Sequence, residues 1–210
     1  MQIPGILQPA NKQIVHWYDF ICPFCYVAQA RNHWLSDRGL GVVEVPFEIH
    51  PEVPEGGMAM GARRGPMYEF LEHEAQEAGL PLRWPSRLPN SRHALSTTEW
   101  IRRHEPSNFE QFQRAIFAAH FALGEDIGDS LLIERYATAQ SVDMDALRNA
   151  ISSGEASRAV SECEDFGKRT GVQGTPAWLI QDQLIEGLQP LMVFEHIAHL
   201  SADTAVTHTT

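Results

Sequence analysis

The placement of β-patterned segments restricts the fold of this chain more than any other feature. IVHWYDF (Ile14 to Phe20) and VVEVPFEI (Val42 to Ile49) are rich in β-branched and aromatic residues and read as strands. Pro46 inside the second implies an edge strand or a bulge. The next strand-like run, AWLI (Ala177 to Ile180), comes only near the end, with LIEG (Leu184 to Gly187) as its hairpin partner across QDQ. The stretch between holds no convincing strand and is mostly helical in pattern. A helix is expected from Pro23, with Tyr26, Val27, Ala30 and Trp34 on its apolar face, until Gly39 stops it. Further helices are expected from Pro66 to Gly79, Ser91 to His104, Pro106 to Leu123, through LLIERYATA and MDALRNAI, and from Glu155 to Thr170. LPLRWPSRLPN (Leu80 to Asn90) holds three prolines and reads as a loop. A last helix is expected from Pro190 to Leu200.

Strand–helix–strand at the front and helix–strand–strand–helix at the back make one α/β unit that a helical segment interrupts. The expected division is residues 11–60 and 154–203 for the α/β unit, 61–153 for an inserted all-helical domain, and 204–210 for a fraying tail.

Composition narrows the function classes. Sixteen basic against 27 acidic residues give a formal charge of −11, which repels phosphate backbones and anionic lipid, so neither nucleic acid nor membrane is an expected partner. No apolar run reaches the ~18 residues of a membrane span. MQIPGILQPANK has no basic n-region and is broken by Pro4, Gly5 and Pro9, so it does not read as a secretory signal, and a cytoplasmic address is expected. In that compartment a close cysteine pair is catalytic, sensing or metal-binding rather than a permanent structural bridge.

Such a pair stands in DFICPFCYVA (Asp19 to Ala28), where Cys22 and Cys25 flank Pro23 and Phe24. Three readings compete: a redox centre, half of a zinc site, and two buried thiols. Zinc needs four ligands; Cys163 lies on a distant helix, no second ligand pair has structural-zinc spacing, and no metal is expected. His196 and His199 read as a surface feature, and Cys163 as a packing residue. If the helix begins at Pro23, Cys22 is its N-cap, where the helix dipole and unpaired N–H groups favour the reactive thiolate. Cys25, one turn on and toward the interior, is placed to resolve a mixed disulfide. Pro23 and Phe24 supply no charge, so the couple is expected to be less oxidising than one with a histidine between its cysteines. Asp19, three residues before Cys22, is a candidate proton acceptor for Cys25, with helix capping and solvent exposure as its other readings. Trp17, Phe24, Tyr26 and Trp178 read as core residues more than as substrate contacts.

DFICPFCYVA, followed far downstream by GVQGTPAWLI, resembles the DsbA-like thioredoxin superfamily, in which a helical domain interrupts a thioredoxin fold. PFEIHPEVPEGG, FALGEDIGD and IEGLQP resemble its FrnE-like branch, related to 2-hydroxychromene-2-carboxylate isomerases and kappa-class glutathione transferases. The likeness runs from Gln13 to Leu200. It implies a thioredoxin-like fold, with Cys22 as attacking thiol, Cys25 as resolving thiol and Pro176 as the cis-proline beside them. It also implies that Pro23, Phe24 and Thr175 meet the substrate, Thr175 by pairing with an extended strand. The implied activity is exchange of protein disulfides, with protein or low-molecular-weight thiols and disulfides as partners. No cofactor is implied beyond the Cys22–Cys25 disulfide, with glutathione as redox partner. The alternative is a glutathione-dependent isomerase or transferase. Those branches usually carry serine where Cys22 stands and an Asp where this chain has Gln189, and both departures favour dithiol chemistry. Phe24 replaces the more usual tryptophan of the FrnE-like motif.

Overall fold

Burial on both faces makes β1 (Ile14–Tyr18) a central strand. The structure, a computed structural model, describes Gly5, residues 14–180 and residues 182–196. β1 is followed by α1 (Pro23–Ser36), which returns the chain to β2 (Val42–Pro46), parallel to β1 with Ile14 beside Val42 and Tyr18 beside Pro46. β5 (Ala177–Ile180) lies antiparallel on the other side of β1, and β6 (Gln183–Glu186) closes a hairpin with it, giving the order β2-β1-β5-β6. Pro46 therefore sits on an edge strand, where its missing N–H breaks no ladder.

Successive side chains of β1 leave on opposite faces. Val15 and Trp17 pack with Cys163 and Phe166 of α7 (Glu155–Thr170). Tyr18 belongs to the opposite core, which runs without a break through Cys25 and Tyr26 into the helices that follow β2. Those helices are α2 (Pro66–Glu77), α3 (Arg92–His104), α4 (Pro106–Ala118), α5 (Ser130–Ala139) and α6 (Met144–Ser152). Asp129 and Asp143 cap α5 and α6, accepting from the N–H groups of Leu131 and of Asp145 and Ala146. This α/β architecture with a helical insertion is the one expected.

Three details depart from the expected elements. The insertion is not all-helical: β4 (Arg87–Leu88), inside the proline-rich segment expected as loop, pairs antiparallel with β3 (Met58–Ala59). Two-residue strands carry no periodicity, and their pairing depends on segments almost thirty residues apart meeting. The long fourth helix ends as an α-helix at Ala118 and continues as one π-helical turn, Ala119–Leu123, before Gly124 turns left-handed at φ 72°. The final helix is seen over residues 191–196, and its expected remainder, like the tail, lies outside the described residues. Among the described residues no helix is long and apolar enough to cross a membrane.

Candidate functional site

Local rules place Cys22. β1 ends at Tyr18, a short turn closes with the Cys22 N–H donating to the Asp19 carbonyl at 3.2 Å, and Pro23 starts α1 with φ already fixed near the helical value. Cys22 is the N-cap, with φ −83° and ψ 111°, and its sulfur accepts from the Cys25 N–H at 3.4 Å. Its own S–H donates to the Thr175 carbonyl at 3.3 Å.

Strand register brings Thr175 there. Trp17 pairs with Ala177, so the two residues before β5 fall opposite the chain leaving β1, beside the start of α1. The Thr175–Pro176 peptide bond is cis, and the Pro176 carbonyl accepts from the Gly187 N–H at 2.8 Å. Cys22, Cys25, Thr175 and Pro176 thus converge from opposite ends of the sequence. Pro23, Phe24 and Thr175 are half-buried near the sulfurs. Trp17, Tyr26 and Trp178 are core.

The two thiols, both reduced here, differ electrostatically. Burial alone raises Cys22, but the neighbouring Cys25 thiol, the Thr175 residue beside the sulfur and the Cys25 N–H outweigh it, leaving Cys22 below its ordinary value. Cys25 is fully buried; burial first, then the neighbouring Cys22 sulfur, hold it well above the ordinary thiol range. An attacking thiol beside a protonated partner is the arrangement exchange chemistry uses.

Asp19 is wholly buried, and its two oxygens accept from the Ile21 N–H at 3.3 Å and the Ile49 N–H at 2.8 Å. Of its three sequence readings, solvent exposure is excluded. Burial pushes its carboxyl up to about 6, opposed by those two N–H groups and the nearby Ser91 hydroxyl. Cys163 is buried against α3, donating to Glu99 at 3.3 Å, and burial first and then Glu99 push its thiol far up, so it stands apart from the Cys22–Cys25 pair. Among the described residues no group of three or more His, Cys, Asp or Glu side chains is arranged to hold a metal ion.

Sequence reasoning missed a buried polar network behind α1. His16 and Asn32 donate to the same oxygen of Glu44 at 2.9 and 2.8 Å, and the Trp178 indole donates to Asn32 at 2.8 Å. One signal was visible: a histidine at an inward position of the apolar strand IVHWY. Its partners lie 16 and 28 residues away and meet it only once α1 and β2 pack.

A dithiol capping the helix after the central strand, faced by a cis-proline segment from the neighbouring strand, defines a thioredoxin-like protein with a helical insertion. Residues 13–198 match the DSBA-like thioredoxin domain, and the chain belongs to that family. It is similar in structure to the probable DsbA oxidoreductase SCO1869 of Streptomyces coelicolor, with 22% identity, 91% and 90% of the two chains covered and a TM-score of 0.77. It is similar to a 2-hydroxychromene-2-carboxylate isomerase at 19% identity, covering 94% and 100%, with a TM-score of 0.76. The cytosolic disulfide reductase DsbM of Pseudomonas aeruginosa, solved with GSH, shares 16% identity over 93% and 98%, at a TM-score of 0.65. In sequence it is 20% identical to the uncharacterized protein YwbO of Bacillus subtilis (strain 168), over 84% of this chain and 90% of that one.

Proposed function

We propose that this protein is a cytoplasmic thiol–disulfide oxidoreductase of the FrnE-like branch, acting on protein disulfides through Cys22 and Cys25. The observation that carries the reading is the unequal dithiol, with Cys22 lowered at the helix cap and Cys25 raised behind it. The Cys22 thiolate attacks a substrate disulfide, forming a mixed disulfide and releasing one substrate thiolate. Cys25 then loses its proton and attacks the Cys22 sulfur, releasing the second thiolate and leaving a Cys22–Cys25 disulfide. Two electrons pass from protein to substrate, and glutathione, supplying two thiols and leaving as its disulfide, restores the dithiol. Asp19, titrating at about 6 beside the pair, is the proton acceptor for Cys25 in this reading. Thr175 pairs with an extended substrate segment, while Pro23, Phe24 and Pro176 shape the surface it meets. The structural likeness to a cytosolic disulfide reductase supports the compartment.

The test is reduction of insulin by the protein with glutathione as electron source. Cys22→Ser abolishes turnover, and Cys25→Ala accumulates a mixed disulfide that non-reducing electrophoresis resolves. The second reading, a glutathione-dependent isomerase or transferase, is favoured by the likeness to the chromene-carboxylate isomerase along the whole chain. Turnover of a glutathione conjugate that survives Cys25→Ser would establish it instead.

A further inference from the structure

A second concavity lies on the far side of α1 from its capped end. A cavity of about 620 Å³ opens between the C-terminal half of α1, β2 and α4, within the size range of small-molecule sites, roughly 300–1,000 Å³. Neither cysteine, nor Thr175, nor Pro176 lines it. It is therefore distinct from the thiol site.

Its floor is built from buried polar side chains. Asn32 and Gln113, 4% and 1% exposed, both line it, and both donate to Glu44. Together with His16 they place three donors on one oxygen, Glu44 Oε2, at 2.8, 3.3 and 2.9 Å. A carboxylate offers acceptor sites on both oxygens. Glu44 Oε1 has no partner among the described residues, and the Glu44 side chain, 14% exposed, lines the cavity. A carboxylate fixed by one oxygen and open at the other is a preoriented acceptor.

Charge decides what it accepts. The two basic side chains at the rim are already engaged, Arg114 with Glu110 and His33 with Asp37, each at 3.5 Å. Three carboxylates thus face the cavity against two paired bases, on a chain of net charge −11, and an anion is disfavoured. The described residues offer no ligand set for a metal ion. Half-buried Val42, Leu80 and Phe109 supply an apolar wall that a bare inorganic cation would not use. We propose that this cavity binds a small organic amine, its ammonium hydrogen-bonded to Glu44 Oε1 and its apolar body against Leu80 and Phe109.

The probe is 2-phenylethylamine, with 2-phenylethanol as its neutral match, titrated into the full-length protein by isothermal calorimetry. The expected result is saturable one-to-one binding of the amine, with the alcohol weaker by roughly tenfold or more, the scale of one charge-assisted hydrogen bond. Glu44→Gln should lose a similar factor. Because that change also touches the His16–Asn32 network, Ala30→Leu, which fills the cavity from α1 and leaves the network intact, should abolish binding in a protein with unchanged circular dichroism. Cys22→Ser should bind as the parent does, so failure of the disulfide-exchange reading and failure of this one are told apart. Absence of saturation at millimolar amine, equal binding of the alcohol, or parental affinity in Ala30→Leu would overturn the proposal.

Discussion

At the scale of single residues, two sulfurs three positions apart behave as different chemical groups because one caps a helix and the other is sealed behind it. Iodoacetamide trapping followed by peptide mass spectrometry should find Cys22 alkylated with a midpoint below the ordinary cysteine value of about 8.5, and Cys25 unmodified through the same range. Equal reactivity would remove the basis for their separate roles. Asp19 gives a second test. Its folded pKa, about 6, lies above the 3.8 of an unperturbed carboxyl, so between those values the folded protein binds more protons than the unfolded one. The contribution of Asp19 to stability therefore falls as pH rises from about 4 to about 6, and at neutral pH its buried charge costs on the order of 3 kcal/mol. In Asp19→Asn, urea unfolding at both ends of that window should show the fall largely removed, whatever the absolute stability of the variant. The helix-capping cysteine was legible in the sequence because a cap is a local feature. The burial of Asp19 was not, since it depends on Ile49 folding back from the end of β2 to donate to it.

At the scale of elements, α7 lies close against β1 because Gly167 has no side chain. A Cβ there would stand 2.9 Å from both Trp17 Nε1 and Phe47 Cδ2, closer than packed atoms tolerate. Gly167→Ala would gain about 1 kcal/mol in helix propensity. Overpacking would cost about 1–3 kcal/mol, and the ring of Trp17, fully buried, has little room to give. The expected outcome is net destabilisation, read as a lower urea midpoint with an unchanged slope; a raised midpoint would show that α7 can shift freely. The bounds of α7, Glu155 to Thr170, could be read from the chain, because helical patterning is local. The closeness of its approach could not. Nor could β3 and β4, whose two-residue pairing has no local signature, or the π-helical turn after Ala118, where the α-pattern continues through FALG although the hydrogen bonding changes.

At the scale of the whole molecule, the helical insertion and the α/β unit share one core, although sequence analysis separated them by pattern. Tyr18 and Cys25 of the α/β part pack in the same cluster as Leu95, Phe117, Ile133 and Leu147 of the helices. A polar hub adds to this. Arg92, the first residue of α3, donates to Glu48 after β2 at 3.1 Å and to Glu164 and Ser161 of α7, each at 2.7 Å. Its guanidinium thus holds together two acids that are 7% and 13% exposed. Burial raises Glu48, and Arg92 is the main force opposing that rise. Arg92→Met removes the cation and leaves two half-desolvated carboxylates facing each other, at a cost of about 2–3 kcal/mol, below the figure for a fully buried pair because Arg92 is partly solvated. The deficit should be largest at neutral pH and shrink once acid protonates Glu48, whose carboxyl burial raises, so unfolding at pH 4 and pH 7 distinguishes a charge effect from lost packing. A shared core also predicts that the parent unfolds in one step, with near-UV and far-UV dichroism following a single curve. Two separated transitions would mean that the insertion folds as a unit of its own, and that Arg92 joins two bodies rather than stitching one.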